Sequence, residues 1–136
     1  GAGQLALFDT EAGKAQALRD QLSAAYGADR VSIVADAATA ARDVDGIVNA
    51  SPVGMAKFPG TPMPVSALES RHWVAEIIYF PLETALLSAA RALGCATVSG
   101  QGMAVGQAAD AFAIFTEQAP DRARMAASFA AFAQQG

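Results

Sequence analysis

The chain has one cysteine, Cys95, and one histidine, His72, in 136 residues. The lone cysteine excludes an intrachain disulfide framework and a multi-cysteine zinc site, and the lone histidine leaves little for a histidine-based metal centre. Charge is also scarce, at 16% of residues with a net −4, and no basic block appears, so no nucleic-acid partner is expected. No apolar run reaches membrane-spanning length. The strongest, Trp73 to Phe80, contains Glu76 and stops at Pro81, so no membrane partner is expected either. There is no charged-then-apolar leader, and the first residue is Gly1 rather than a methionine. Those features read as a processed or internal piece of a cytoplasmic protein. What is present is apolar residue, 53% of the chain, which excludes a disordered tail, a collagen-like fibre or a low-complexity linker. The length allows one domain or part of one.

Short apolar runs alternate with alanine-rich helical stretches, the pattern of parallel α/β units. Leu5 to Phe8 reads as a buried strand closed by Asp9, followed by a helix from Glu11 to Ala25 with Gly27 just beyond it. Val31 to Ala35 reads as a second strand, Ala37 to Arg42 as a short helix, and Gly46 to Ala50 as a third strand. Ser51 to Pro64, rich in proline and glycine, is a loop longer than a simple connection needs. Trp73 to Tyr79 is a fourth strand, Glu83 to Leu93 a helix stopped by Gly94, and Ala96 to Val98 a fifth strand. Gly100 opens a helix to Thr116, and Pro120-Asp121 starts a last one with Met125, Phe129 and Phe132 on one face. Phe112, Phe115, Phe129 and Phe132 read as core, Cys95 as a buried inert thiol, and His72 as a surface residue before its strand. The fold class is an α/β, Rossmann-like, doubly wound parallel sheet, with ligands expected outside the strands' carboxyl ends. Asp9, Asn49-Ala50-Ser51, Tyr79 and Ser99-Gly100 stand at those ends.

Gly1-Ala2-Gly3-Gln4-Leu5-Ala6 matches G-x-G-x-x-G/A in letters alone. A phosphate-cradling turn follows a strand and opens a helix, whereas this stretch leads into a strand, so it reads as an ordinary turn. Asp9 has two readings: an acceptor for adenosine-ribose hydroxyls that repels a 2′-phosphate, or a cap, with Thr10, for the helix that follows. Asn49 to Met55 likewise reads either as a Pro-Gly turn or as a turn whose small residues let a planar cofactor approach the backbone.

Three segments together go further. Asn49-Ala50-Ser51-Pro52-Val53-Gly54-Met55 resembles the Asn-Ala-Thr-Pro-hydrophobic-Gly-Met signature of the shikimate and quinate dehydrogenases. Ile77 to Thr84 and Gly100 to Phe112 are similar to two further segments of that family, in the same order. The resemblance implies that Asn49, Ala50, Ser51, Pro52, Val53, Gly54 and Met55 line the nicotinamide side of a cofactor cleft. It implies that Ile77 packs near the nicotinamide, that Gly100 contacts the cofactor by its backbone, and that Met103 borders the ring. Tyr79 and Gln107 would face the substrate, with Gln107 bonding its hydroxyl or carboxylate from the start of a helix. Asp9 would take the adenosine-ribose position, with Lys14 a weaker candidate near that half. Members preferring NADP carry an Asn-Arg-Thr-like basic patch where this chain has Phe8-Asp9-Thr10, so the implied cofactor is NAD rather than NADP.

The same resemblance points to what is missing. In the family, the first dinucleotide-fold strand and its glycine-rich turn come just before the segment that starts here. A substrate domain with a catalytic lysine and aspartate lies further upstream. Lys14 and Lys57 are in the wrong motifs to replace that lysine. Residues 1–136 therefore read as a partial dinucleotide-binding domain, inactive alone, whose sheet is split at the place of the absent strand and which pairs with the missing half or with a second copy. The implied reaction of the intact enzyme is hydride transfer between NAD and a ring hydroxyl of shikimate or quinate. The alternatives are a non-catalytic, dehydrogenase-like sensing module for quinate or shikimate, and another two-domain NAD(P) oxidoreductase.

Overall fold

A computed structural model describes residues 1–133, so the last three positions of the segment read as one partial domain lie outside the described residues. The chain divides into two compact units, Gly1–Asp43 and Val44–Gly136. All five expected strands form and all pairings are parallel, in two sheets, β1-β2 and β3-β4-β5.

In the first unit, β1 (Leu5–Leu7) and β2 (Val31–Ile33) pair with Leu5 opposite Val31 and Leu7 opposite Ile33. Parallel neighbours need a long crossover, and α1 (Ala12–Tyr26) supplies it. The Asp9 carboxylate accepts the Glu11 N–H at 2.8 Å ahead of this helix, and the Gly27 N–H closes it on the Ser23 carbonyl at 3.0 Å. A one-turn helix, α2 (Ala37–Ala40), is capped by Asp36, whose carboxylate accepts from the Thr39 N–H at 2.8 Å. Arg30 ties the chain start by donating to the carbonyls of Gly3 and Ala2.

In the second unit, β3 (Gly46–Asn49), β4 (Trp73–Glu76) and β5 (Ala96–Val98) run side by side, with Asn49 opposite Glu76 and Trp73 opposite Ala96. The crossover from β4 to β5 contains α3 (Ala85–Ala92), which begins two residues later than expected because Thr84 is its cap, the hydroxyl accepting from the Leu87 N–H at 3.3 Å. Val74, Leu86, Leu87 and Ala90 are completely or almost completely buried and form the core between this helix and the sheet. α4 (Gly100–Thr116) adds Val105 and Ala109 to the buried set, and α5 (Arg122–Ala133) packs along α4. Among the described residues no helix is long and apolar enough to cross a membrane.

Three expectations are corrected. The fourth strand ends at Glu76, not Tyr79, because the Ile78 N–H turns onto the Glu76 carboxylate at 3.3 Å instead of continuing the ladder. His72 is buried, not at the surface: its Nδ1 accepts the Glu69 N–H at 3.0 Å, which folds the ring inward. The phenylalanine set is not core. Phe115 is 84% and Phe132 71% exposed, and Phe112, Phe129 and Phe132 line an apolar groove of about 520 Å3 between α4 and α5. α4 is apolar on more than one side, and only the side carrying Val105 and Ala109 is buried.

Candidate functional site

The carboxyl ends of β3 and β4 open a cleft of about 390 Å3, lined by Ala50, Ser51, Pro52 and Met55 on one wall and by Ile77, Ile78, Tyr79 and Phe80 on the other. No charged side chain is in this lining. The first wall is a tight turn. The Asn49 side-chain carbonyl accepts from the Ser51 N–H at 3.0 Å and the Ser51 hydroxyl at 2.6 Å, and the Asn49 amide donates to the Val53 carbonyl at 2.9 Å. Local bonding of this kind is what asparagine and serine offer a backbone leaving a strand. Gly54 completes the turn at φ +118°, where an L side chain is strained and where a Cβ would crowd Ile78 and Thr84.

The second wall is the segment released from β4. Its Ile77 N–H still bonds the Asn49 carbonyl at 3.2 Å, so the two walls meet at their base. Tyr79 is half exposed, and its ring stands edge-on to Phe129 of α5 with centroids 6.1 Å apart. Gly100 starts α4 directly against this wall: a Cβ there would run into the carbonyl oxygens of Ile77 and Ile78.

Of the residues singled out in the sequence, Ala50, Ser51, Pro52, Met55, Ile77 and Tyr79 come together around the cleft. Asn49 is buried beneath it, and Val53 and Gly54 shape its turn. Met103 is exposed on the first turns of α4. Gln107 is exposed too, but two turns into α4 rather than at its start, so it caps no helix end. Asp9 and Lys14 belong to the first compact unit. There the Asp9 carboxylate holds the Glu11 N–H, and the Lys14 ammonium pairs with the Glu11 carboxylate at 2.6 Å. That hydrogen bond, with the Glu11 charge behind it, raises the Lys14 pKa above its ordinary value.

Sequence reasoning gave no role to Glu76, nor to Ile78, Phe80 and Thr84 within the Ile77 to Thr84 segment. Glu76 did carry a signal, since it is the one charge within the apolar run from Trp73 to Phe80. Among the described residues no group of three or more histidine, cysteine or carboxylate side chains could hold a metal ion.

A parallel α/β chain with its cleft at the strands' carboxyl ends defines a Rossmann-like fold, a class whose ligands sit at those ends. No protein-family model matches the chain. The chain is 46% identical over 133 residues to a quinate/shikimate dehydrogenase (NAD(+)) of Corynebacterium glutamicum, a match covering 95% of the chain and 46% of that relative. It is 48% identical over 136 residues to a shikimate dehydrogenase (NADP(+)) of Streptomyces avermitilis, covering 98% of the chain and 46% of the relative. The solved quinate dehydrogenase from Corynebacterium glutamicum in complex with NAD superposes with a TM-score of 0.84 at 45% identity, over 96% of this chain and 47% of that one. The chain belongs to the shikimate/quinate dehydrogenase family. It spans about half the length of the curated relatives it matches.

Proposed function

We propose that the chain is the dinucleotide-binding part of an enzyme that transfers a hydride between NAD and a ring hydroxyl of shikimate or quinate. The observation that carries this reading is the cleft itself: Ala50, Ser51, Pro52, Met55 and Ile77, among the residues the resemblance assigns to the nicotinamide side, line its two walls. Its lining fits the pyridine end of a dinucleotide. Ala50, Ser51 and Pro52 are small enough for a flat ring to approach the backbone, while Met55 and Ile77 offer apolar faces. When bound, the cofactor supplies the hydride acceptor at its ring. This chain's residues orient and desolvate that ring, and Tyr79 and Gln107 face the alcohol with hydrogen-bonding groups. Proton transfer falls to the lysine–aspartate pair that the resemblance puts in the portion of the family's length this chain does not span.

For the adenosine end, Asp9 is the ribose acceptor and Lys14 lies near it, which favours NAD over NADP. The Corynebacterium relatives named for NAD support that preference. Among the described residues β1 and β3 each have one strand neighbour, which leaves edges for a strand from the rest of the polypeptide to pair with. The test is an NAD-linked assay of the whole protein with shikimate and with quinate. Turnover of either supports the reading, and tight NAD binding without turnover of either shifts it to the sensing module. In the same assay Gln107→Ala raises substrate KM or lowers turnover, and wild-type kinetics after that change remove Gln107 from the site.

A further inference from the structure

Below the cleft is a charge that binding of an apolar ring does not require. Glu76 is 3% exposed, and among the described residues no ion pair neutralises it. Each group reaching its two oxygens is a neutral donor, and each comes from a different element. The Asn49 amide, at the end of β3, donates to Oε2 at 3.1 Å, and the Thr84 hydroxyl, capping α3, donates to the same oxygen at 3.1 Å. The Ile78 N–H, on the second wall, donates to Oε1 at 3.3 Å. Asn49 and Thr84 are themselves 3% and 1% exposed. An ionised carboxylate is an acceptor at every lone pair, so it satisfies all of these donors at once. An apolar side chain would be cheaper to bury but would leave all three unpaired.

We propose that Glu76 is the positioning residue of the cleft, a clamp that sets the separation of its two walls. It holds the Asn49–Met55 turn through the Asn49 amide, which in turn holds Val53, and it holds the opposite wall through Ile78. The consequence for ligand binding rests on the reading that this cleft takes the pyridine end of the cofactor. Glu76 itself does not line the cleft.

The test uses the whole protein and Glu76→Gln, which keeps size but presents an NH2 to a donor whichever way its amide turns. Hydrogen exchange of the Ser51, Val53 and Ile78 amides is expected to quicken about tenfold while that of β5 is unchanged. Affinity for NADH is expected to fall about tenfold, with affinity for ADP-ribose, which lacks the pyridine, held within about twofold. Unaltered exchange at both walls, a uniform rise across the sheet, or equal loss for the two ligands overturns the proposal. Should Glu76→Gln not fold, Thr84→Val removes one of the three donors and is expected to show the same pattern at smaller amplitude. Wild-type protein that binds NADH no better than ADP-ribose refutes the pyridine site instead, and the exchange pattern then decides the clamp alone.

Discussion

Residues Gly1–Asp43 and the part of the chain from Val44 onward both place a helix between parallel strands, yet their interiors differ in kind. The first buries only small or medium side chains, Ala15, Val31 and Ala41, and leaves Leu5 and Ile33 about two-fifths exposed. The second takes Leu86, Leu87 and Val74 to within a percent or so of complete burial and ties Asn49, Glu76 and Thr84 into a satisfied polar knot beneath them. A two-stranded sheet with one long helix has too little apolar surface to stand firmly, whereas three strands with packed helices do. Rigidity therefore lies with the half that forms the cleft, and the half carrying Asp9 and Lys14 has the weaker interior.

The sharpest way to break that contrast is Leu87→Ala against Ile33→Ala. Removing Leu87, which is fully buried, is expected to cost about 3 kcal/mol of unfolding free energy in the whole protein. Ile33, 39% exposed, should cost about 1 kcal/mol or less. Equal losses in denaturant titration would mean the two interiors are equivalent. Next in size is Gly100→Ala, which forces the start of α4 away from the Ile77 and Ile78 carbonyls at about 1–3 kcal/mol of strain. Because those residues form a wall of the cleft, NADH affinity should fall with stability, and a variant that melts like wild type would show that α4 yields freely.

Asp9→Ala probes function on the weaker side. Loss of a charged acceptor is expected to reduce the preference for NAD over NADP about tenfold, read from the two values of kcat/KM. An unchanged ratio would leave Asp9 as nothing more than the group that holds the Glu11 N–H. The smallest effect concerns Asp36. Bonds from the Thr39 hydroxyl, then from the Thr39 N–H, hold its carboxyl below the ordinary value. A lowered folded-state pKa stabilises above the unfolded value and is lost as pH falls through the folded one. The small gap in melting temperature between wild type and Asp36→Ala should therefore close on acidification, and a gap that widens would reverse the assignment.

Most of the secondary structure could be read from the sequence, because period and punctuation are local properties. The helix from Gly100 to Thr116 matches its expected range, as does the strand Ala96–Val98. The fourth strand was misjudged at its end, since Ile77-Ile78-Tyr79 is as apolar as any strand while its ladder is interrupted by a side chain, Glu76, folding back on it. Aromatic residues on α4 and α5 were misjudged for a related reason. Helical spacing shows which residues share a face, and only packing shows whether that face is covered.

The sequence alone was enough to determine the succession of strands and helices, the turn at Asn49 to Met55 and the family resemblance, since each is carried by the local pattern of short segments. Tertiary structure alone decided that Asn49, Glu76 and Thr84 form one buried network, that Gly100 must lack a Cβ, and that the cleft has two walls. Those facts rest on contacts between residues far apart in sequence, where burial and hydrogen-bond partners are set by the packing of whole elements and not by the local pattern of any one of them.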